Sequence, residues 1–196
     1  AAAKPVCVTG HGDGASGGNV PGAPLGVGLC YAALVATDRR SISERRIDRL
    51  TNPDLSEGLP AFLAKQPGLQ SGFMIAHVAA VALLSEAKVL AHPSSVDNLP
   101  TSAGKEDHVS MGMTGALKLR TIVENAEYVL AVELLAAAEG LEFRRPLQAG
   151  VGVERAFATL RSLAPRLEDD RPLSPDIERV AEAIRAGKFD SPFDAP

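Results

Sequence analysis

The segment from Phe73 to Leu84 is the strongest constraint on the fold, because it is apolar on every face that a helix would present. His77 is its only side chain that prefers water. A helix that is apolar all round has to be buried on all sides. Pro93 ends the pattern, which predicts a helix over residues 71–91 that other helices or other chains must cover.

Four more helices follow from apolar residues at three- and four-residue spacing. Gly140 is expected to end the third helix of the chain, and Ser174 is expected to cap the fifth. Ser41-Ile42-Ser43-Glu44 fits a capping box that would restart the first helix, or it lies inside one long helix. No segment alternates apolar and polar residues long enough to indicate a sheet. The sequence therefore predicts an all-α fold, with these further helices at residues 25–50, 112–140, 153–163 and 175–186.

The chain is expected to divide into three segments. Residues 1–24 form a glycine-rich irregular N-terminal segment, residues 25–145 form a central long-helix bundle with a candidate active-site loop at 94–111, and residues 146–196 form a C-terminal helical segment. Two of the long helices lack a polar face, and five helices cannot wrap one another completely. Neighbouring subunits are therefore expected to complete the bundle in a homo- or hetero-oligomer.

Composition excludes several classes of function. With 196 residues, 45% hydrophobic and 22% charged, the chain is long and apolar enough for a globular core. A net charge of -4 with both signs intermixed gives no basic surface for nucleic acid. Cys7 and Cys30 have neither disulfide nor zinc spacing, which predicts a reducing, cytoplasmic location. The N-terminal region predicts neither a signal peptide nor a membrane span, so no membrane partner is expected.

The polar loop from Pro100 to Gly112 is the candidate functional segment. It carries three consecutive ionisable residues, Glu106, Asp107 and His108, between two apolar segments. A loop fixed between core helices can hold a carboxylate in a partly dehydrated position, as a catalytic site requires, although most such loops only connect helices. No second ligand cluster stands at metal-binding spacing, so no metal is expected.

Four sequence blocks, together with this loop, form a residue pattern that is highly specific. The blocks are Ser16-Gly17-Gly18-Asn19, Ser41-Ile42-Ser43-Glu44-Arg45-Arg46-Ile47-Asp48-Arg49-Leu50, Ser71-Gly72-Phe73-Met74-Ile75-Ala76 and Ala91-His92-Pro93-Ser94-Ser95-Val96-Asp97. Together they resemble the C-terminal half of the aromatic amino acid ammonia-lyases, above all histidine ammonia-lyase. The likeness weakens after about Arg145. It implies an all-helical protein that assembles as a tetramer around an electrophilic methylidene-imidazolone group.

The resemblance also implies roles for individual residues. Glu106 matches a carboxylate that lies near the substrate's amino group and binds the amine or moves its proton. Lys105 stands where the family has an amide, and it could pair with Glu106 or meet a substrate carboxylate. Val20 and Pro21 replace an aromatic residue and a histidine, so the wall of the substrate pocket differs from that of the usual enzymes.

Ala15-Ser16-Gly17 is the tripeptide type that cyclises into methylidene-imidazolone in this family. Its distance from Ser43-Glu44-Arg45-Arg46 matches a later family segment, Ser-Gly-Gly-Asn, whereas the cyclising tripeptide lies far upstream. We therefore expect Ala15-Ser16-Gly17 to stay an ordinary peptide and the cofactor to come from a partner chain. The family's catalytic tyrosines and carboxylate-binding arginine are likewise expected to precede residue 1.

The functional expectation is the C-terminal, small subunit or a fragment of an amino acid ammonia-lyase. It would eliminate ammonia from a histidine-type or aromatic α-amino acid together with the N-terminal half of the enzyme, and would be inactive alone. Two alternatives remain open: a subunit of an aminomutase, and a non-catalytic structural or regulatory paralogue. The intact Glu106 favours an enzyme, whereas Val20, Pro21 and Lys105 favour the paralogue.

Overall fold

The computed structural model describes residues 6–7, 14–15, 22–104, 106 and 108–190. Within these ranges the chain is predominantly helical, which confirms the all-α class. Two short antiparallel strands pair near the N-terminus, β1 (Val6–Cys7) and β2 (Gly14–Ala15). The helices are α1 (Ala23–Thr51), α2 (Met74–Leu90), α3 (Gly112–Arg144), α4 (Val151–Leu163) and α5 (Ser174–Arg185).

The predicted helices are confirmed to within four residues at each end, but two of the expected end signals are wrong. α3 continues through Gly140 to Arg144. A Cβ at Gly140 would lie 3.4 Å from Cδ1 of Leu59 and 3.5 Å from Cδ2 of Leu50, so this glycine allows close packing and does not end the helix. Ser174 is the first residue of α5 and not its cap, since the N-cap position has no side-chain hydrogen bond.

α1 is one uninterrupted helix, so the second interpretation of the possible capping box is correct. Ser43 and Glu44 are both buried in the middle of α1 and cannot act at a helix start. Ser43 and Glu44 are therefore interior residues of one long helix.

The chain divides into two compact units. One contains the described residues up to Thr37 together with Ala87–Val123, and the other contains Asp38–Glu86 together with the described residues from Glu124 onward. α1, α2 and α3 each contribute to both units. The segment boundaries predicted from the sequence describe a different division and stay predictions.

Each unit has an apolar core of its own. In the first unit the buried residues Ala33, Ala87 and Ile122 bring α1, α2 and α3 together. The second unit has the larger core, in which residues of α4, α5 and the segment before α2 pack on the same three helices. Its fully buried members include Ile47, Leu63, Ala80, Val129 and Val180.

The single chain buries only part of the apolar surface of Phe73–Leu84, and the expectation that other chains cover the rest stays a prediction. Phe73, Ala76, Ala80 and Leu84 are buried, but Ile75 is 68% exposed and other apolar side chains of α2 also face outward. One chain supplies helices to only one side of α2. The exposed apolar side chains of this helix are Met74, Ile75, Val78, Val81 and Val89.

Length and composition would also allow this region to cross a membrane. Among the described residues, Met74–Val96 is the stretch that meets such a test, with a mean hydropathy of 1.7. The same properties are found in a core helix that other protein segments cover. The expectation of no membrane partner therefore stays a prediction.

A buried carboxylate joins α3 to α4 and to the segment that follows α4. Glu139 is 1% exposed, and its oxygens accept hydrogen bonds from Arg161 Nη2 at 3.2 Å and from Arg166 Nε at 3.3 Å. The main-chain N–H of Leu167 donates a third bond at 3.2 Å. Because a buried charge is tolerated only when it is paired, these three donors make Glu139 the polar anchor of the second unit.

Replacing Glu139 by leucine should destabilise the chain by about 3–5 kcal/mol, because Arg161 and the Leu167 N–H lose a buried acceptor. Glu142→Leu is the matched control, since Glu142 is less buried and its carboxylate accepts, among the described residues, only from Arg161 Nε, at 3.1 Å. We expect the control to cost about 1 kcal/mol or less. Chemical denaturation of both variants measures the difference, and equal losses would contradict the anchoring role.

Arg40 presents the opposite situation on α1. It is 2% exposed, and within the described part of the chain none of its guanidinium nitrogens has a hydrogen-bond partner. Burial lowers the pKa of Arg40 from its ordinary value, and the negative charge of Glu86 partly opposes that shift. An arginine stays charged even so, and the buried cation is therefore a source of instability in the isolated chain.

Arg40→Met should raise the free energy of unfolding by about 1–3 kcal/mol, because it replaces an unpaired buried charge with an apolar side chain of similar length. The neighbouring Arg39 is exposed, so Arg39→Met serves as the control and should change stability by about 0.5 kcal/mol or less. Both values come from denaturant titrations of the purified chain. A loss of stability in Arg40→Met would mean that the guanidinium is satisfied in solution.

Candidate functional site

The candidate site lies on the connection between α2 and α3, within the first unit. This connection is fastened to α3 by Lys118, whose Nζ donates to the main-chain carbonyl of His92 and to Oγ of Ser94 at 3.1 Å. Ser94 is buried and opens a short 3₁₀ turn, Ser94–Val96. The start of the loop is therefore held by a helix that follows it in sequence.

The end of the same loop is fastened to α1. Ser95 Oγ donates a hydrogen bond to the carbonyl of Ser110 at 2.9 Å. Gly26 of α1 lies against this pair, since a Cβ there would stand 2.9 Å from the Ser110 carbonyl oxygen and 3.1 Å from Ser95 Oγ. Glycine at position 26 is thus what allows α1 and the loop to approach so closely.

Cys30 lies beside this contact. Its Sγ is 3.5 Å from Ser95 Oγ and the residue is buried. Burial raises the pKa of the Cys30 thiol, but hydrogen bonding with the Ser95 side chain and with the Ser95 and Ser94 main chain, together with the charge of Lys118, outweighs it and leaves the pKa below its ordinary value. The described residues include no cysteine partner for it.

Glu106 is half-buried and its main chain is paired within the loop. The Thr101 N–H donates to the Glu106 carbonyl at 2.9 Å, and the Glu106 N–H donates to the Thr101 carbonyl at 3.2 Å. No ion pair or hydrogen bond joins the Glu106 carboxylate to another described residue. The main chain is therefore fixed while the carboxylate stays available for another partner.

The turn between these two paired residues has an unfavourable backbone conformation. Ser102, Ala103 and Gly104 have φ angles of 54°, 55° and 82°, and Met111 at the end of the loop has 50°. Left-handed φ angles at residues other than glycine cost about 1 kcal/mol or more each, and they persist only where surrounding contacts enforce them. Loops with such strain are frequent at functional sites.

Asn98 closes the base of the turn, and the sequence analysis did not single it out. Its Oδ1 accepts the Val109 N–H at 2.9 Å, and its Nδ2 lies 2.8 Å from Nδ1 of His108. The sequence offered no signal for this role, because the partners are ten and eleven residues away and no motif links them.

Several predicted site residues cannot be placed. Val20, Pro21, Lys105 and Asp107 lie outside the described residues, so the proposed roles of Val20 and Lys105 stay predictions. Of the tripeptide Ala15-Ser16-Gly17, only Ala15 is described. It lies in β2 and pairs with Val6. The expectation that Ala15-Ser16-Gly17 remains an ordinary peptide stays a prediction.

Another histidine of the chain, His77, makes its contact away from this turn. His77 is on α2, and its Nε2 is 2.8 Å from Oε1 of buried Glu44. Burial raises the pKa of Glu44, but hydrogen bonds from Arg45 and His77 outweigh it and leave the pKa below its ordinary value. The described ranges contain no group of three or more His, Cys, Asp or Glu residues arranged to hold a metal ion.

Comparison with known proteins gives consistent matches. The sequence model of the family described as "Aromatic amino acid lyase" matches residues 4–162. The chain is 51% identical to histidine ammonia-lyase of Koribacter versatilis over 91% of its length and 52% identical to that of Anaeromyxobacter sp. over 94%. It covers 35% and 36% of those proteins, so it spans about a third of the length of the curated relatives it matches, at their C-terminal end.

Solved structures have the same fold. Histidine ammonia-lyase from Trypanosoma cruzi superposes with a TM-score of 0.87 at 45% identity, covering 94% of this chain and 36% of the other. Tyrosine aminomutase from Streptomyces globisporus also gives 0.87, at 33% identity, covering 94% of this chain and 35% of the other. The helices and the loop thus form part of an ammonia-lyase and aminomutase fold. The chain belongs to the aromatic amino acid lyase family.

Two glycines of α1 test whether close approach to the loop matters. Gly26→Ala should lower stability and displace the loop, because the new methyl group would overlap the Ser110 carbonyl. Gly28 has nothing within 4 Å of its Cβ position, so Gly28→Ala should raise the free energy of unfolding by about 0.5–1 kcal/mol through helix propensity alone.

Denaturant titration gives the two stabilities, and amide hydrogen exchange of Thr101 and Glu106 reports on the loop. We expect faster exchange at both amides in Gly26→Ala and unchanged exchange in Gly28→Ala. Stabilisation by both substitutions would show that α1 does not need a glycine at position 26.

Proposed function

We propose that this chain is the C-terminal portion of an amino acid ammonia-lyase. In this proposal it acts with a second chain that carries the methylidene-imidazolone group, and together they eliminate ammonia from an α-amino acid of the histidine or aromatic type. The observation that carries the proposal is the Glu106 carboxylate, which stands unpaired among the described residues on a loop fixed by main-chain bonds. The identity of about half to histidine ammonia-lyases indicates the reaction class.

Glu106 can perform one of two tasks for an amino acid substrate. As a carboxylate it can accept hydrogen bonds from the substrate ammonium group, or it can take a proton at a carboxylate oxygen. Its fixed main chain would orient the side chain before substrate arrives, which lowers the cost of placing the reacting groups. Both tasks require a carboxylate oxygen that is free to accept, and the Glu106 carboxylate has no partner among the described residues.

The cofactor is proposed to come from the second chain, because the distance of Ala15-Ser16-Gly17 from Ser43-Glu44-Arg45-Arg46 matches the family's later Ser-Gly-Gly-Asn segment and not its cyclising tripeptide. When present, methylidene-imidazolone supplies an electrophile that makes the substrate's amino group a better leaving group. This chain would contribute Glu106 at the edge of that site. Exposed apolar side chains on α2, such as Ile75 and Val78, give the second chain a surface that favours burial.

An aminomutase is the second candidate, since tyrosine aminomutase superposes with the same TM-score as histidine ammonia-lyase. The two reactions have different products. A lyase releases ammonia and an unsaturated acid, whereas an aminomutase returns the amino group to the neighbouring carbon. Product analysis therefore separates them without any change of protein.

The test co-expresses this chain with an N-terminal chain of the family that carries Ala-Ser-Gly in its usual context, and assays release of ammonia from histidine, tyrosine and phenylalanine. We expect activity from the complex and none from this chain alone. Glu106→Gln should lower kcat by about 10²–10⁴-fold, the typical contribution of a positioned acid or base, and leave assembly intact.

Glu178→Gln is the matched control, because Glu178 is an exposed glutamate on α5 in the other unit, and it should leave kcat unchanged. Size-exclusion chromatography verifies that each complex assembles. Turnover by this chain alone would refute the proposal, as would a Glu106→Gln complex as fast as its parent. An assembled but inactive parent complex would favour a non-catalytic paralogue.

A further inference from the structure

The contacts of Asn98 determine the state of a neighbouring histidine, and this has consequences for the loop that carries Glu106. We propose that Asn98 is a positioning residue, which holds His108 as the neutral tautomer with its hydrogen on Nε2 and closes the turn that presents Glu106. The part concerning Glu106 in turnover rests on the proposed function. The tautomer and the closure of the turn do not.

The orientation of the Asn98 amide is fixed by the main chain. The two ends of an asparagine amide look alike in shape, but a backbone N–H can only donate a hydrogen bond. The Val109 N–H lies 2.9 Å from one end of the Asn98 amide, so that end has to be the oxygen. The other end is then the NH₂ group, which can only donate.

That donor is 2.8 Å from Nδ1 of His108. Nδ1 therefore has to accept, which requires a lone pair on this nitrogen and places the hydrogen of the neutral ring on Nε2. The imidazolium form carries hydrogens on both nitrogens, so its Nδ1–H would face the NH₂ group of Asn98, and two donors cannot form a hydrogen bond with each other. A single main-chain N–H thus decides, through one amide, which nitrogen of an exposed imidazole is the donor.

The same two contacts close the base of a strained turn. Asn98 joins the start of the turn to Val109 at its end, and the Thr101–Glu106 pair forms a second closure inside it. Between these closures Ser102 and Ala103 hold left-handed φ angles. Such a conformation needs enforcing contacts, and Asn98 contributes two of them in one side chain.

The result is a turn with complementary chemistry within three residues. Glu106 offers a carboxylate, and His108 offers an N–H donor at Nε2. A carboxylate suits an ammonium group, and a neutral N–H donor suits a carboxylate oxygen, so the pair is appropriate for an α-amino acid. By giving Nδ1 a donor, Asn98 favours the neutral ring that carries its hydrogen on Nε2.

Substitution of Asn98 by aspartate gives a sharp test, because it keeps the shape and reverses one hydrogen bond. One aspartate oxygen can still accept the Val109 N–H, but the other can only accept, so Nδ1 of His108 would have to carry a hydrogen. We expect the Nε2–H tautomer in the parent chain and a ring protonated at Nδ1 in Asn98→Asp. Asn98→Ala should give a mixture of tautomers.

The measurement is long-range ¹H–¹⁵N correlation NMR of the histidine rings in the purified chain. The chain has four histidines, and the spectrum of a His108→Gln variant identifies the ring of interest. Asn125→Ala is the matched control, since Asn125 donates to Glu86 in the other unit and should leave the His108 signals unchanged. A neutral ring with its hydrogen on Nε2 alone, in both Asn98→Asp and Asn98→Ala, would overturn the assignment.

Closure of the turn is measured separately by amide hydrogen exchange. In Asn98→Ala the exchange of the Thr101, Glu106 and Val109 amides should accelerate by about tenfold or more, whereas amides within α3 should keep their rates. Unchanged exchange at all three loop amides would overturn the positioning role. This result does not depend on whether the chain takes part in catalysis.

In the active complex, Asn98→Ala should lower kcat by about 10–10²-fold with a smaller change in KM, as expected when a reacting group is misplaced. A kcat within about twofold of the parent would show that closure of the turn does not reach the reacting group. If Glu106→Gln retains full activity, the proposed function fails. The tautomer and exchange results still decide the role of Asn98 in the turn.

Discussion

The structure depends on how far the three long helices α1, α2 and α3 bury their apolar surfaces within one chain. Each contributes to both compact units, and each unit has its own core. Burial of apolar surface is the dominant favourable term in folding, and here it is incomplete because α2 keeps large side chains such as Ile75 and Val89 exposed. The helices set the two ends of the loop between α2 and α3, and they therefore determine where the candidate site can lie.

Polar contacts then place the loop more finely than apolar packing could. Lys118 holds its beginning, the Ser95–Ser110 hydrogen bond and Gly26 hold its end, and Asn98 closes the turn between them. Hydrogen bonds are directional, so each fixes an orientation as well as a position. The Glu106 carboxylate, which has no partner among the described residues, thus stands on a constrained main chain, and we propose that it binds substrate there.

Two buried charges elsewhere in the chain differ in whether they have hydrogen-bond partners. Glu139 is stabilised by three donors, whereas Arg40 lacks any described hydrogen-bond partner. An exposed carboxylate is held in another way: just before α2, Asp170 accepts the Ser71 and Gly72 N–H groups from a position 98 or more residues away, and these bonds lower its pKa from the ordinary value. None of the three could be recognised from neighbouring residues in the sequence.

The all-α class, the helix positions to within four residues, the family and the position of Glu106 on a polar loop could all be predicted from the amino-acid sequence. These properties depend on the spacing of apolar residues, on turn residues and on short sequence motifs, all of which can be identified in a linear sequence. Only the tertiary structure decided the role of Gly140 in packing, the outward face of α2 and the contacts of Asn98. These depend on which residues meet across the fold, and the orientation of one amide follows from a main-chain N–H eleven residues away.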